Sequence, residues 1–368
     1  MSTPPRTTSI SIPAQLGPGF DFGRIDYAAA LRASLCIAIP FAALYAADRL
    51  DLGVYAAFAS FTAIYGRDEP YRHRVWTVAS AGALNLAAVV AGILLHAARP
   101  SPVALVIGVV VVVAVCTAVS RAMHWIPRGA IFFLFGFLVC ALAPADPSTA
   151  PDAIALSCAV AVLGFLIGMS GALLRLVPAW DRALGPLGRV PVRRTSAAWD
   201  ATSIAVTVAT LVGAGVSWAI VAFTGAAEHV YWTTVTVAAI FSGPNALTSY
   251  ERTGMRVVGT LVGIGVAAAL FGGSPSVLYV CVVIVLCQFA TEATIAIHYG
   301  VALAFLTPLA IGASNVTGAS DWAVLYTDRA RDTLVAGAVC FAIIVLVRAW
   351  VLRRARRGRE TALSRNEG

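Results

Sequence analysis

The sequence predicts an all-α integral membrane protein of about twelve transmembrane helices, arranged as two parallel six-helix repeats. Three observations lead to this fold class: an apolar composition, a regular series of apolar segments, and a likeness between the two halves. Apolar residues make up 59% of the 368-residue chain and charged residues only 12%, which is far from the balance of a soluble domain. The composition therefore predicts a bilayer environment, with short loops and polar tails outside it.

Six apolar segments in each half are candidates for crossing the bilayer, which takes about 20 residues as a helix. The first six lie near Tyr27–Ala47, Gly53–Ile64, Val75–His96, Val103–Val119, Ala130–Leu142 and Ala153–Leu174. The second six lie near Ala201–Phe223, Val230–Phe241, Arg256–Phe271, Ser276–Phe289, Tyr299–Ile311 and Leu334–Leu352. The segments ending at Ile64 and Phe241 are short, so they fit a position recessed inside a bundle.

These segments divide the chain into five parts. We predict an N-terminal cytoplasmic tail at 1–26, a first repeat at 27–175, a cytoplasmic linker at 176–196, a second repeat at 197–352 and a basic C-terminal tail at 353–368. The N-terminal tail is rich in Pro and Gly and has no apolar core typical of a signal peptide. The tail RRARRGR, from Arg353, is typical of a lipid-headgroup anchor.

The arginines predict the orientation. With both termini in the cytoplasm, the inner loops hold Arg67, Arg72, Arg74, Arg121, Arg128, Arg175, Arg182, Arg189, Arg193, Arg194, Arg252 and Arg256. The outer loops hold Arg49, Arg99, Arg329 and Arg331, accompanied by most of the aspartates. This asymmetry is the positive-inside pattern of a bacterial plasma membrane protein. It accounts for the net charge of +8 without a nucleic-acid partner.

An internal repeat joins the second and third segments of each half. DLGVYAAFASFTAIYGRDEPYRHRVWTVASAG, from Asp51, and EHVYWTTVTVAAIFSGPNALTSYERTGMRVVGT, from Glu228, share a Val-Tyr start, a short apolar run, a polar turn and an arginine. Tyr55 thereby matches Tyr231, and Arg74 matches Arg252. Because each half has an even number of segments, the repeats enter the membrane in the same orientation.

The polar turn after each short segment is the candidate binding site. Short, Gly/Pro-interrupted segments at equivalent places in two repeats are typical of a transporter's substrate site. A helix that begins near Ser249 or Arg252 directs its amide groups toward the break, where an anion is favoured. Arg252 and Arg256 are one turn apart and add full charges on the same face. The alternative is that both arginines only anchor an inner loop.

The stretch FSGPNALTSYERTGMRVVGT, from Phe241, resembles the fusaric acid resistance family of the aromatic acid exporter superfamily, to which the plant aluminium-activated malate transporters are also related. The order Arg252, Arg256, Gly259-Thr260 and the later HYGVALAFLTPLAIG, with Tyr299-Gly300 and Leu306-Thr307, carry the resemblance. It implies export of organic anions, typically aromatic carboxylates, through a six-helix unit used twice. GRDEP replaces SGPNA in the first half, so the two halves are not expected to contribute equally.

Further candidate residues complete the predicted site. Arg32 and Asp200 stand near the starts of matching segments, and burying either alone costs roughly 2.5–3.5 kcal/mol or more, so they either pair or lie near the headgroups. Glu292 and His298 flank one turn as a candidate proton relay or as a solvated loop. Tyr55, Tyr231 and Trp232 are expected in the outer aromatic belt, with stacking on an aromatic substrate as the alternative. The predicted substrate-binding set is Arg32, Arg74, Asp200, Tyr231, Arg252, Arg256 and Thr307.

No enzymatic or metal-binding motif appears, so we predict no enzyme activity, no cofactor and no metal. The seven cysteines lie in apolar runs as packing residues. The predicted function is export of organic anions, with aromatic carboxylates favoured, by an antiporter, uniporter or channel-like pathway. The alternative is a transport-inactive membrane scaffold. Two repeats in one chain predict a monomer with pseudo-two-fold symmetry, or a homodimer.

Overall fold

The computed structural model describes residues 26–67, 69–99, 101–143, 146–179, 182, 199–223, 229–243, 250–273, 275–316, 318 and 320–366. Residues 1–25 of the predicted tail, most of the predicted linker and residues 244–249 of the predicted break lie outside the described residues. The fold is all-helical throughout the part of the chain that is described.

Each half contributes six helices to the described structure. In the first half these are α1 (Tyr27–Ala46), α2 (Gly53–Ala59, continued by a 3-10 turn over Ser60–Ile64), α3 (Tyr71–Ala97), α4 (Pro102–Ala122), α5 (Ile131–Ala141) and α6 (Ala150–Leu174). In the second half these are α7 (Ala201–Phe223), α8 (Tyr231–Phe241), α9 (Tyr250–Phe271), α10 (Val277–Thr294), α11 (Tyr299–Ser314) and α12 (Trp322–Asn366).

Eight of these helices are long and apolar enough to cross a membrane by length and composition, so this is a multi-pass membrane protein. α2, α5, α8 and α11 are shorter. The long helices turn large apolar side chains outward, including Leu166, Val262 and Leu286, which are 59%, 54% and 62% exposed. Such surfaces are suited to lipid. Whether the short helices complete a twelve-span arrangement stays a prediction.

The short helices form the core of the bundle. Every residue of α8 is buried, and so is nearly all of α5. A helix that is apolar on all sides is stable only where it is surrounded by other helices or by lipid. Phe58 of α2 packs edge-on against Phe135 of α5 at 4.6 Å between ring centroids, and Phe135 contacts Trp232 of α8 at 5.2 Å. These aromatic contacts join the two halves.

The packing partners in the two halves correspond. α3 contacts α5 and α6, and α9 contacts α11 and α12 in the same way. Between the halves, α1 packs on α10 while α4 packs on α7, and α5 contacts α8 while α2 contacts α11. Each of these helix–helix contacts therefore has an equivalent contact between the corresponding helices of the other half.

Small residues allow α9 and α11 to pack closely. A Cβ atom on Gly263 would lie 2.6 Å from Thr307 Cβ and 2.7 Å from the Leu303 carbonyl oxygen. A Cβ atom on Gly259 would lie 2.6 Å from the Gly300 carbonyl oxygen. The two helices touch backbone to backbone because these positions carry no side chain.

Several predicted boundaries are wrong. α12 begins at Trp322 and not at Leu334, and its backbone continues to Asn366 through the predicted basic tail. Asp328 and Arg329 therefore do not lie in an outer loop: they are helical and only 6% and 2% exposed. α9 begins at Tyr250, six residues before its predicted start. Charged first turns lowered the apolar signal at both helix starts.

Candidate anion-binding site

A cavity of about 520 Å³ opens at one end of the bundle. The ends of α2, α4, α8 and α10 and the starts of α5, α9 and α11 surround it, so both halves contribute. Its charged lining residues are Arg67, Glu69, Arg128, Arg252, Arg256 and Glu292, and its aromatic ones are Phe61, Phe132 and Tyr299. All of the connections that it touches are inner loops in the predicted topology.

Arg252 caps the C-terminal end of α8. Its Nε donates to the Ala239 carbonyl oxygen at 3.0 Å, and its Nη2 donates to Ser242 Oγ at 3.2 Å. The last carbonyls of a helix have no partner within the helix, so a guanidinium is a suitable cap. The guanidinium carbon also lies 4.1 Å from the centre of the Tyr299 ring. Arg252 therefore stabilises the break and also contributes a positive charge to the cavity wall.

Arg256, one turn further along α9, lines the same cavity. It is only 1% exposed, and among the described residues its Nε and Nη1 atoms have no hydrogen-bond partner, although its side chain also interacts with Tyr299. A buried cation with N–H groups left unpaired is unfavourable by several kcal/mol unless a counter-charge arrives. Arg256 is therefore the residue of the predicted set whose environment most favours an anion.

Arg67 and Glu292 form an ion pair across the two halves in the cavity wall. Arg67 Nη2 lies 3.3 Å from Glu292 Oε2, and its Nε lies 3.5 Å from Asp26 Oδ2 before α1. Glu292 is only 7% exposed, so the interpretation as a solvated loop residue is wrong. The structure places Glu292 in the cavity wall, and its role in a proton relay stays a prediction.

Arg74 occupies the place equivalent to Arg252 and performs the same backbone capping. Its Nε donates to the Gly66 carbonyl oxygen at 2.8 Å and its Nη2 to the Arg67 carbonyl oxygen at 2.7 Å. Its guanidinium carbon lies 4.6 Å from the centre of the Tyr71 ring. The predicted equivalence of Arg74 and Arg252 is confirmed, although Arg74 lies behind the loop and not among the lining residues.

Arg32 and Asp200 are not brought together, so the hypothesis of their pairing is wrong. Arg32 lies among Arg74, Asp26, Tyr71 and Arg67. Asp200 is exposed before α7, where the Ser203 amide donates to its Oδ1 at 2.7 Å. Hydrogen bonds from Ser203 lower the pKa of this carboxyl below its usual value, and nearby Arg121 adds to the effect.

The counterpart of Asp200 in the first half is Asp26. Asp26 caps α1 in the same manner, because its Oδ1 accepts from the Ala29 amide at 2.9 Å. A side-chain oxygen at this position satisfies one of the unpaired amides at a helix start. The two aspartates thus correspond, and Arg32 corresponds to no charge in α7.

The remaining predicted residues lie outside the cavity wall. Tyr231, Tyr55 and Trp232 are 6%, 1% and 0% exposed, so they are core residues and their assignment to an outer belt is wrong. Thr307 is buried between α11 and α9 and donates to the Leu303 carbonyl oxygen at 2.8 Å. His298 caps α11, where its Nδ1 accepts from the Val301 amide at 3.2 Å.

The sequence interpretation missed a charged cluster in the first turns of α12. Asp328 Oδ2 lies 2.8 Å from His229 Nδ1, and Asp328 Oδ1 lies 3.0 Å from Arg331 Nη2. Arg331 also pairs with Asp332 at 3.0 Å. The signal was the pattern DRARD from Asp328, in which charges spaced three and four residues apart share one helix face.

Among the described residues, no group of His, Cys, Asp and Glu side chains is arranged to hold a metal ion. The six cysteines other than Cys158 are buried, and all seven are unbridged. The site therefore consists of guanidinium groups, a few carboxylates, and aromatic walls.

Fold and site together define a multi-pass membrane protein with a cationic internal cavity. The sequence model of the family described as fusaric acid resistance protein-like matches residues 216–343, from the last turns of α7 to the middle of α12. This match confirms the predicted resemblance to the fusaric acid resistance family. With the apolar helices, it indicates a membrane transporter or resistance protein. Neither a curated protein nor a solved structure matches the chain.

Proposed function

We propose that this protein exports organic anions, specifically aromatic carboxylates, across a bacterial plasma membrane. The observation that supports this most is the position of buried, partly unpaired Arg256 beside Arg252 in a cavity at a helix break. Guanidinium groups bind carboxylates through two parallel hydrogen bonds. An aromatic acid has one charged end for the arginines and one apolar ring for the remaining wall.

The cavity wall is suited to such a ligand. Phe61 and Phe132 lie edge-on to one another at 4.9 Å on the first-half side, and Tyr299 with the arginines forms the second-half side. A few placed polar groups in a largely apolar pocket are typical of small-molecule sites. The two halves then have separate roles, with the ring held by the first half and the carboxylate by the second.

The proposed pathway runs through a bundle of two parallel six-helix repeats, and both chain termini lie in the cytoplasm. In this orientation the cavity opens to the cytoplasm, from which export begins. A membrane potential that is negative inside favours loss of one monoanion by about 2.3 kcal/mol per 100 mV. Thiol labelling tests the orientation: in a cysteine-free background, cysteine at Ser148 should react with an impermeant reagent added to intact cells, and cysteine at Ser364 should not. The reverse result would invert the proposal.

A substitution at Glu292 distinguishes a proton antiporter from a uniporter or channel-like mode of transport. Glu292 is the carboxylate that pairs with Arg67 across the halves, so a proton antiporter would use it as the proton site. Glu292→Gln would then abolish the response of flux to a pH gradient while leaving the response to voltage. An unchanged response to both gradients assigns the protein to a uniporter or channel-like mode.

Flux in reconstituted liposomes tests the function itself. Vesicles with a set potential should release a benzoate load, and the Arg252→Gln, Arg256→Gln double variant should release it more slowly. Raising the salt shortens the Debye length from about 10 Å at 0.1 M to about 3 Å at 1 M, so wild-type flux of dilute anion should fall more than that of the variant. Absence of flux for every organic anion tested would support the transport-inactive scaffold instead.

A further inference from the structure

The outer face of α12 carries an exposed apolar stripe that ends in a positive charge. Leu334, Phe341 and Val345 are exposed, and so is Arg348, one turn after Val345. These residues follow one another at spacings of seven, four and three residues, so they lie on one side of the helix. The stripe therefore offers apolar side chains along its length and a guanidinium at its end.

Arg348 lies where the apolar part of α12 ends. The sequence has no charged residue between Asp332 and Arg348, whereas Arg353 and Arg354 follow soon after. The uncharged stretch rises about 24 Å at 1.5 Å per residue, which is most of the hydrocarbon thickness of about 30 Å. Arg348 is therefore at the level of one layer of lipid headgroups.

The start of α9 forms the second wall of a groove beside this stripe. The Arg348 guanidinium carbon lies 4.7 Å from the centre of the Tyr250 ring, and the ring centres of Tyr250 and Phe341 are 5.2 Å apart. Further along the two helices, a Cβ atom on Gly337 would lie 2.5 Å from Val257 Cγ2. The two helices are therefore antiparallel neighbours, and the headgroup layer at Arg348 is the one at the cavity end of the bundle.

The groove is open between these two contacts. Gly254 is one turn after Tyr250 on the same face of α9, and no atom of the described residues lies within 4 Å of the place where its Cβ atom would be. Val258, one turn further along, is 62% exposed. A long apolar group can therefore lie in the groove without displacing protein atoms.

The charge beside the groove favours an anion. Among the side chains that the structure describes, no carboxylate lies within ion-pair distance of Arg348, whose contact is the face of Tyr250. A guanidinium stacked on a ring keeps its N–H edge available for a phosphate. Arg353 and Arg354 are exposed close by, against one acid in the first turn of α9, Glu251. Basic pockets between transmembrane helices at the membrane surface are suited to anionic headgroups.

We propose that the groove between α9 and α12 binds one anionic phospholipid from the leaflet on the cavity side. Its phosphate accepts hydrogen bonds from Arg348, and one acyl chain lies over Phe341 and Gly254. One leaflet is about 15 Å of hydrocarbon, and Ala338 on the same stripe is about 15 Å along the helix from Arg348. The lipid stabilises Tyr250, the first residue of the helix that carries the cavity arginines. This inference goes beyond the proposed function and does not depend on anion transport.

Native mass spectrometry of the purified full chain, titrated with phosphatidylglycerol, tests the site by counting bound lipids. Phosphatidylglycerol should bind more tightly than phosphatidylcholine with the same acyl chains, and Arg348→Gln should weaken its binding about tenfold or more. Arg354→Gln is the matched control, because Arg354 is an exposed arginine of the same helix that also lies over a ring, 5.3 Å from the centre of Trp350. It is off the stripe and should change the affinity less than about threefold at physiological salt.

A second pair of variants tests the groove without changing any charge. Gly254→Leu fills the open space and should weaken binding of phosphatidylglycerol about threefold or more, because the acyl chain loses its place against α9. Gly265→Leu is its control: Gly265 is also open and lies on the same face of α9, but about 16 Å further along the helix. It should leave the affinity unchanged.

Free glycerol phosphate separates the lipid from its phosphate. It should compete weakly with phosphatidylglycerol, since it has no acyl chain; equal binding by the two would make this a site for soluble phosphate and overturn the lipid site. Equal binding of phosphatidylcholine, or wild-type affinity in folded Arg348→Gln and Gly254→Leu, also overturns it. So does a lipid-free dimer that Gly254→Leu disrupts, because a second copy would then fill the groove. None of these measurements uses flux, so failure of this site leaves the proposed transport intact, and absence of flux leaves this site intact.

Discussion

The two helix breaks, one in each half, have the same backbone device and different charges. Arg74 and Arg252 both reach back across the break to cap backbone carbonyl groups. Arg74 caps the Gly66 and Arg67 carbonyl groups in the loop after α2, and Arg252 caps the Ala239 carbonyl group of α8. One turn later the halves diverge, because Val78 stands in α3 where Arg256 stands in α9. The capping arginine is thus part of the fold in both halves. The additional arginine, Arg256, gives the second half a buried positive charge that the first half lacks at the equivalent position.

The same contrast appears in the last helix of each half. Gly164 and Gly168 of α6 pack against Thr62 and Val78 of the first half, so this interface is small and apolar. In the second half, α12 instead places the Arg329 guanidinium over the Trp232 ring. Under the proposed function, the first half is specialised for packing and the second half for anions, and four predictions test that division.

The largest effect is expected from Arg256→Gln. Anion flux should fall about tenfold or more, because about 1.5–3 kcal/mol of charge-assisted bonding to the anion is lost. Thermal stability should not fall, because the change removes a buried charge whose Nε and Nη1 groups have no hydrogen-bond partner among the described residues. Flux in liposomes and the melting temperature in detergent measure both. A drop in stability with normal flux would make Arg256 a structural residue like Arg74.

Arg74→Gln should produce the opposite pattern. It leaves the Gly66 and Arg67 carbonyl groups without their donors, which costs about 1–3 kcal/mol of unfolding free energy for each group left unsatisfied in a buried site. Arg252→Gln should show the same loss together with weaker flux, since only Arg252 also lines the cavity. The melting temperature of both variants, compared with that of Arg354→Gln, checks this. Equal flux defects for both would reject the division.

The glycines give the third comparison. Gly263→Ala should destabilise by about 1–3 kcal/mol, because the new methyl group meets the Leu303 backbone at 2.7 Å. In the first half, Gly82→Ala meets only the end of the Thr62 side chain at 2.5 Å, and Thr62 can rotate. Gly265→Ala is the control: nothing lies within 4 Å, so helix propensity should stabilise it by up to about 1 kcal/mol. A larger loss for Gly82→Ala than for Gly263→Ala would contradict this order.

The smallest effect is expected at the two capping aspartates. Asp200→Ala should cost about 1 kcal/mol as a lost cap, and Asp26→Ala somewhat more, because Asp26 also pairs with Arg67. The pKa of Asp200 is lowered from 3.8 by its bonds to Ser203. Its contribution is therefore complete above that value and is lost as the pH falls through the lower pKa of the folded protein. A melting temperature that is equally pH-dependent in wild type and Asp200→Ala would disprove the cap.

The sequence by itself determined the membrane environment, the order of long and short helices, and the equivalence of Arg74 with Arg252. Each of these depends on residues close together in the chain: apolar length, breaks, and the spacing of an arginine from a turn. The position of Arg252 and Arg256 at a helix break could be predicted for the same reason, because a short apolar segment and a following basic turn are visible locally.

Only the tertiary structure decided which charges are buried and which meet. Arg329 and Asp328 look like loop residues in the sequence because charges lower the local apolar signal, and their burial depends on α8 and α9 packing over them. Tyr231 and Trp232 look interfacial because they begin a helix, yet Phe135 and Arg329 cover Trp232 from distant parts of the chain. Contacts between residues far apart in sequence decide these positions, and apolar periodicity carries no information about them.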